Sequence, residues 1–242
     1  MSDNGTVKEN TAASGEITES ETLDKLAHTK KRYLRPKEIF AYVMANFGHK
    51  ALNQFMGSHQ DFFLVNIMRV SPKHLAFVNT FAAAYDAVDD TVSGLVIDRT
   101  RTRWGRVKPF FILPLPLWII GGMMLFSTPG ITGTAQAIYV AIATIIYGLG
   151  MSYFGAWNLM TYNITPNMNE RNNLITTTKF FELFGTFIPS LLPVLVKFIP
   201  KANPDITNAE VYKAFAIFML LFSASFAIYG FFNMRERIPL QS

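Results

Sequence analysis

The sequence predicts an all-α integral membrane protein built as a six-helix bundle. Its 242 residues are 50% hydrophobic and only 16% charged, whereas soluble domains carry about 25% charged residues. The hydrophobic residues form six runs of membrane-spanning length, numbered here as spans 1 to 6. Lysine and arginine concentrate at alternate ends of these runs, which is the pattern of cytoplasmic loops.

Composition also excludes several functions. The chain has no cysteine, so disulfides, thiolate metal sites and cysteine nucleophiles are absent. Its four histidines form no metal-binding spacing such as HExxH. The formal net charge of +5 follows the ends of the hydrophobic runs, so we expect membrane lipid as a partner and no nucleic acid. No enzyme motif is present, and we predict that the protein is not an enzyme.

The chain divides into three predicted segments. Residues 1–37 are polar, become basic from Lys25 onward and lack the apolar core of a signal peptide, so we predict a disordered cytoplasmic tail. Residues 38–233 hold the six spans, and residues 234–242 form a short cytoplasmic tail. Both termini are then cytoplasmic, in a plasma or inner membrane.

Span 1 covers about residues 39–68 and is the most polar span. Asn46, Lys50 and Asn53 recur at helical spacing on one face, opposite an apolar face. This pattern fits either an amphipathic surface helix or a span that lines a cavity, and the five hydrophobic runs that follow favour the cavity.

Span 2, about residues 74–97, carries three acids in an otherwise apolar helix. Asp86, Asp89 and Asp90 lie within an arc of roughly 100°. Asp86 precedes Asp98 by about 18 Å at ~1.5 Å per residue, which is near the middle of a bilayer. These acids must bind a cation, share protons or meet a basic partner. An intramembrane aspartyl hydrolase is disfavoured, because it would need acids on two facing helices and these three acids lie on one.

The loop that follows, residues 98–109, is strongly basic. It contains Asp98, Arg99, Arg103 and Arg106, and its charge predicts a cytoplasmic loop. We interpret these four residues as a cytoplasmic gating loop.

The later spans supply candidate substrate residues. Tyr153, Trp157 and Asn158 in span 4 combine aromatic rings with an amide, as sugar recognition does. In span 5, Lys179 either pairs with Glu182 three residues later or lines a cavity. Spans 3 to 6 cover about residues 110–126, 136–162, 174–199 and 211–232, and a polar loop is predicted at 164–173.

Three stretches carry a family resemblance: DAVDDTVSGLVIDRTRTRWGRVKP, GLGMSYFGAWNLMTYNITP, and NERNNL followed by TTKFFELFG. They resemble the N-terminal half of the melibiose-permease type of sugar:cation symporter, the glycoside–pentoside–hexuronide group of the major facilitator superfamily. The resemblance covers roughly residues 38–233. It implies half of a major-facilitator fold, with two inverted three-helix repeats, and symport of a sugar or glycoside with Na⁺ or H⁺.

The resemblance also assigns roles to residues. Asp86 and Asp90 match the two cation-binding aspartates, so they are the predicted metal ligands, and Asp89 takes a position usually held by a polar amide. Lys179 matches a basic residue near the sugar. Lys50 stands where the family has one sugar-binding acid. The family's second such acid falls at Trp157 or Asn158 in this chain.

These departures and the chain length leave other functions open. We expect Lys50, Asn53, Trp157, Asn158 and Lys179 to border one water-filled cavity, and two cations there would favour an acidic sugar such as a hexuronide. A single half has half a site, so we expect a second six-helix half or a homodimer as partner. The alternative is a non-transporting scaffold or regulator, or a truncated product, derived from such a transporter. No cofactor is expected apart from the coupling ion.

Overall fold

The computed structural model describes residues 32–237, and this part of the chain is helical, without a strand. The predicted tail before residue 32 and the last five residues lie outside the described residues. Eight α-helices follow one another: α1 Pro36–Phe62, α2 Pro72–Arg99, α3 Leu115–Leu125, α4 Thr134–Ser152, α5 Gly155–Ile164, α6 Met168–Gly185, α7 Leu192–Ala202 and α8 Asn208–Asn233. Shorter helical turns cover Phe63–Ile67, Lys108–Phe111 and Ile188–Leu191.

Each of spans 3, 4 and 5 is interrupted, instead of forming the continuous helix that periodicity predicted. In span 3 the break precedes Pro114, and in span 5 it precedes the turn that contains Pro189, because proline cannot donate the next helical hydrogen bond. In span 4 the amides of Phe154 and Trp157 each bond to a carbonyl three residues back, at 2.8 and 2.9 Å. This tighter winding separates α4 from α5.

The predicted polar loop at 164–173 is wrong in extent. Helix α6 already begins at Met168, because the Asn167 side chain caps it by accepting hydrogen bonds from the amides of Asn169 (2.9 Å) and Glu170 (3.3 Å). Asparagine is among the preferred N-cap residues. The connection between spans 4 and 5 is therefore residues 165–167 only.

The packing of the six spans repeats after three spans. Span 1 packs on spans 5 and 6, span 4 packs on spans 2 and 3, and spans 3 and 6 pack on each other. Exchanging spans 1, 2 and 3 with spans 4, 5 and 6 reproduces these contacts, whereas the packing of α7 on α8 in spans 5 and 6 has no counterpart of similar extent between spans 2 and 3. Three is an odd number, so the second repeat enters the membrane from the opposite side, as in an inverted repeat.

Two glycines bring span 3 and span 4 into close contact. A Cβ at Gly121 of α3 would lie 2.5 Å from the backbone nitrogen of Tyr147 in α4, and one at Gly150 of α4 would lie 2.6 Å from that of Trp118 in α3. Small residues allow this close approach of helix backbones, which is characteristic of membrane helix pairs.

Four helical stretches are long and apolar enough to cross a membrane: 108–125, 134–164, 168–202 and 208–233. Helices α1 and α2 are as long, with 27 and 28 residues, but their polar residues lower their hydropathy. Both pack on the other spans within the same bundle. Span 1 is therefore part of the bundle, as the cavity interpretation expected.

The connections alternate between the two ends of the bundle. At one end, the amide of Tyr33 donates to Glu170 at 2.9 Å, and the amides of residues 106–108 donate to Glu236. At the other end, the side-chain amide of Gln136 donates to the Met68 carbonyl at 2.6 Å. We name these the Glu236 end and the Gln136 end, and the sequence predicts that the Glu236 end is cytoplasmic.

Single cysteines test this topology, because the chain has none of its own. We expect Arg103→Cys and Asn169→Cys to react with an impermeant maleimide only from the cytoplasmic side, and Thr128→Cys and Asn203→Cys only from the outer side. All four positions are exposed. Labelling of positions 103 and 203 from the same side would contradict the six-span arrangement.

Candidate functional site

A polar cavity of about 230 Å³ lies between α1, α5 and α6. Its lining combines hydroxyl, amide, aromatic and charged side chains. The lining residues are Tyr42, Asn46, Asn158, Thr161, Tyr162, Ile175, Thr178, Lys179 and Glu182. Spans 1, 4 and 5 are the spans on which the sequence predicted substrate residues, and two of the predicted residues, Asn158 and Lys179, are in this lining.

Hydrogen bonds within the protein hold the deep part of this cavity. The Tyr42 and Thr161 hydroxyls bond to each other across α1 and α5, and both side chains are buried. The Asn46 side chain donates to the Tyr42 carbonyl at 2.8 Å. Asn158, by contrast, is exposed on α5. The fixed groups therefore shape the cavity, while the Asn158 amide is accessible to a ligand.

Lys179 and Glu182 form an ion pair, with Nζ 2.8 Å from Oε2. The sequence left open whether Lys179 pairs with Glu182 or lines a cavity. In the structure it does both. Lys50 is half-buried on α1 and is not part of the lining. The cavity thus carries one positive and one negative side chain, which removes the argument from two unpaired cations.

Three other predicted substrate residues lie elsewhere. The Trp157 side chain is 1% exposed, stacks on Phe111 with ring centroids 4.1 Å apart, and donates its indole N–H to the Phe110 carbonyl at 3.4 Å. Tyr153 stacks on Phe110 beside the break between α4 and α5. Asn53 is exposed on α1 and is not in the lining. Trp157 and Tyr153 are therefore part of the core packing.

The three aspartates of α2 have different surroundings. Asp89 is buried and accepts a hydrogen bond from the Ser152 hydroxyl of α4. Asp86 and Asp90 are exposed, and within residues 32–237 neither side chain has a hydrogen-bond or ion-pair partner. Asp86 lies against α4, where a Cβ at Gly148 would be 3.3 Å from its Oδ1. Asp89 is thus satisfied by the fold, whereas Asp86 and Asp90 are available to a ligand.

The exposed surface of α2 has two sides of opposite character. The apolar face, at the far side from the acids, consists of Phe77, Phe81, Val88 and Leu95. The acidic face carries Asp86 and Asp90 among small and polar residues, and it consists of Asn79, Ala83, Asp86, Ala87 and Asp90. The apolar face suits lipid, and the acidic face does not.

A metal ion needs several ligands within reach of one point. Within the described range, 32–237, no three His, Cys, Asp or Glu side chains stand close enough to hold a metal ion. Two carboxylate groups one helical turn apart, Asp86 and Asp90, are therefore what α2 itself can offer to a hard cation such as Na⁺. Further oxygen ligands would have to come from substrate, water or another helix.

In the predicted gating loop, Asp98 forms an ion pair with Arg106, with Oδ1 2.7 Å from Nη2. Arg99 and Arg103 are exposed, and the Arg103 guanidinium lies 4.9 Å from the centroid of the Trp104 ring. The loop connecting α2 and α3 is therefore tied to the end of α2 by one charge pair.

The main anchor of this loop is the carboxylate of Glu236, which the sequence did not predict. It accepts hydrogen bonds from the amides of Arg106, Val107 and Lys108 at 3.0, 2.8 and 2.7 Å. Gly105 has φ +113°, and a Cβ there would lie 2.5 Å from the Glu236 carboxyl carbon, so only glycine fits. Residues 234–242 had been predicted as a short cytoplasmic tail, and no local signal indicates this long-range contact.

Arg237 continues this anchor toward spans 1 and 4. Its guanidinium contacts both carboxylate oxygens of Glu38 at 2.7 Å and donates to the Ile164 carbonyl at 3.1 Å. Its amide donates to the Asn163 carbonyl at 2.9 Å. Glu236 and Arg237, which we call the C-terminal anchor, thus connect the Glu236 ends of spans 1, 3, 4 and 6.

A membrane bundle of paired three-helix repeats, with a polar cavity and acids on a spanning helix, has the architecture of a secondary transporter. The family of MFS/sugar transport proteins matches residues 41–242. The chain belongs to this family and is a multi-pass membrane protein, which confirms the resemblance seen in the sequence.

Its relatives are transporters of greater length. The isoprimeverose transporter of Lactiplantibacillus pentosus is 23% identical over 83% of this chain and 42% of its own length. The inner membrane symporter YicJ of Escherichia coli is 29% identical over 49% of this chain and 26% of its own. The sodium-dependent lysophosphatidylcholine symporter 1-B of Danio rerio is 22% identical over 76% and 35%. The chain spans less than half the length of these relatives.

The C-terminal anchor predicts a stability effect. Glu236→Ala removes the carboxylate that accepts three backbone hydrogen bonds. We therefore expect the free energy of unfolding to fall by about 1–3 kcal/mol and the apparent Tm of the detergent-purified protein to be lower. Arg235→Ala is the matched control, because Arg235 is exposed and has no hydrogen-bond partner within residues 32–237. Equal shifts for both variants would contradict an anchoring role.

Proposed function

We propose that this chain supplies the N-terminal half of a symporter that couples uptake of a sugar or glycoside to Na⁺ or H⁺. The observation that carries the proposal is the combination of one polar cavity on spans 1, 4 and 5 with two unpaired carboxylates, Asp86 and Asp90, on span 2. Family membership and symporter relatives support transport in general. The sugar, the ion and the activity of this chain alone are part of the proposal.

A neutral sugar or glycoside suits the cavity better than an acidic one. Lys179 is paired with Glu182, and Lys50 is not in the lining. The cavity lining therefore has no unpaired cationic side chain that would favour an anionic sugar. Asn158 offers both donors and an acceptor to hydroxyl groups. The printed name of one relative, isoprimeverose transporter, agrees with a sugar substrate.

For the coupling ion, we propose that Asp86 and Asp90 hold Na⁺ together, or share a proton in its place. Their carboxylates lie one helical turn apart on the same face. Asp89 would act indirectly rather than as a ligand of the ion, because its carboxylate already accepts a hydrogen bond from the Ser152 hydroxyl. Sodium dependence in the name of the Danio rerio relative supports Na⁺ as the first ion to test.

We propose that a second six-helix half, or a second copy of this chain, covers the acidic face of α2. A charged aspartate is expensive against lipid, and the small residues Ala83 and Ala87 beside the acids allow another helix to approach. In such an assembly the cavity and the acids would lie between two halves. Both termini would be cytoplasmic, in the plasma or inner membrane.

The ion proposal is tested by amide substitutions. We expect Asp86→Asn or Asp90→Asn to abolish the Na⁺ or H⁺ dependence of sugar uptake, because the charge is lost at nearly constant volume. Asp89→Asn should act more mildly, since its amide oxygen still accepts from Ser152. Asp61→Asn is the control, because Asp61 is exposed near the end of α1 and has no hydrogen-bond or ion-pair partner for its side chain within residues 32–237. The measurement is uptake of labelled sugars into vesicles with and without a Na⁺ gradient. Unchanged coupling in the Asp86→Asn, Asp90→Asn double variant would refute this assignment.

The cavity proposal is tested separately. Asn158→Ala removes one accessible amide, so we expect KM for a transported glycoside to rise roughly two- to tenfold, as for one or two lost hydrogen bonds. Asn172→Ala is the matched control, because this asparagine is exposed on α6 and is not in the lining. The same KM for both variants would mean that the cavity does not bind the sugar.

A further inference from the structure

A second, larger groove lies at the Gln136 end, between α7 and α8, and its volume is about 560 Å³. This is within the roughly 300–1,000 Å³ of ligand pockets. Its lining is mostly aliphatic and aromatic, with two acids: Leu195, Ile199, Asp205, Ile206, Glu210, Val211, Ala214, Phe215 and Phe218. None of these residues contributes to the cavity between α1, α5 and α6.

The apolar part of the groove has the length of a lipid chain segment. Along α8 it extends from Glu210 to Phe218, which is about 12 Å at 1.5 Å per residue. One leaflet of the hydrocarbon core is roughly 15 Å thick. Val211 and Phe215 form a buried floor, and the Phe218 side chain is 50% exposed, so the groove is accessible from the side of the bundle.

The polar part is confined to one end and is acidic. Asp205 and Glu210 are exposed, and no lysine or arginine is in the lining. Glu210 uses Oε2 to accept hydrogen bonds from Thr207 in the cap of α8, at 2.7 and 3.0 Å. Asp205 has no hydrogen-bond or ion-pair partner within residues 32–237. Lys213 follows Glu210 by less than one turn but is outside the groove.

This distribution of charge and apolar surface identifies the class of ligand. A sugar would leave most of its hydroxyl groups without partners on the aliphatic lining. Both helices belong to stretches apolar enough to cross a membrane, so the occupant comes from the lipid phase. Two carboxylates at the end of an apolar groove complement an amphiphile with a cationic head and a hydrocarbon chain.

We propose that this groove binds a membrane phospholipid whose headgroup carries an ammonium, as in phosphatidylcholine and phosphatidylethanolamine. The acyl chain lies along α8 from Val211 to Phe218, and the ammonium lies at Asp205 and Glu210. An anionic phospholipid such as phosphatidylglycerol is disfavoured by the same carboxylates. The proposal does not depend on the transport function.

Quenching of a tryptophan by brominated lipids tests the proposal on the purified, reconstituted chain. The reporter is Phe218→Trp in a Trp104→Phe background, because Trp104 is the native tryptophan that is exposed, whereas the other two are 1% exposed. The matched control reporter is Ile142→Trp, since Ile142 is 48% exposed, lies about two turns into α4 from the Gln136 end and is outside the groove. The probes are dibrominated phosphatidylcholine and phosphatidylglycerol at varied ratios.

At position 218 we expect phosphatidylcholine to be preferred over phosphatidylglycerol by roughly threefold, the effect of two exposed charge contacts. At position 142 we expect a ratio near one. Asp205→Asn with Glu210→Gln should reduce the preference at 218 to the control value, and glutamine keeps the helix cap. An equal ratio at both reporters, a preference for phosphatidylglycerol, an unaltered preference in the double variant, or no quenching at 218 would each overturn the proposal.

Discussion

Asp86 and Asp90 impose the strongest constraint on this protein, because a carboxylate near the middle of a bilayer is costly unless it is paired, protonated or in contact with water. The described bundle satisfies Asp89 through Ser152 and leaves the other two without a partner. Since the opposite face of α2 is apolar and exposed, lipid has a suitable surface there, and the acidic face must meet something else. That asymmetry is the reason for proposing that the acidic face is the functional side of the bundle.

Three other carboxylates have a different role. Glu38, Glu170 and Glu236 each accept hydrogen bonds or ion pairs that connect distant segments at one end of the bundle. These three carboxylates are therefore already hydrogen-bonded or ion-paired within the fold. Helix α2 packs mainly on α4, whereas α1 contacts two other spans. We infer that the protein combines one firmly connected end with a less constrained helix that carries the free acids, which suits a transporter that must change conformation.

Sequence patterns were sufficient for much of this account. The helical spans, the acids of α2 and the two cavity-lining residues Asn158 and Lys179 follow from hydrophobic periodicity and from polar residues inside it. The breaks within three spans did not follow from periodicity: those in spans 3 and 5 lie next to prolines, and that in span 4 depends on the tight turn at Phe154. Nor did the distinction between Trp157 and Asn158: neighbours on a helix point about 100° apart, and only packing decides which one is buried. The anchor at Glu236 joins residues about 130 apart, beyond any local pattern.

The most direct measurement concerns the environment of the acidic face in the membrane. Asp90→Cys and Val88→Cys would be compared in reconstituted protein, with a charged and a lipid-soluble maleimide. Both positions are exposed, but on opposite sides of α2. We expect Asp90→Cys to react with the charged reagent at least about ten times faster than Val88→Cys, because moving a charged reagent into hydrocarbon is costly. Val88→Cys should react well only with the lipid-soluble reagent. Equal exclusion of the charged reagent from both positions would mean that the acidic face lies in lipid and would contradict the account.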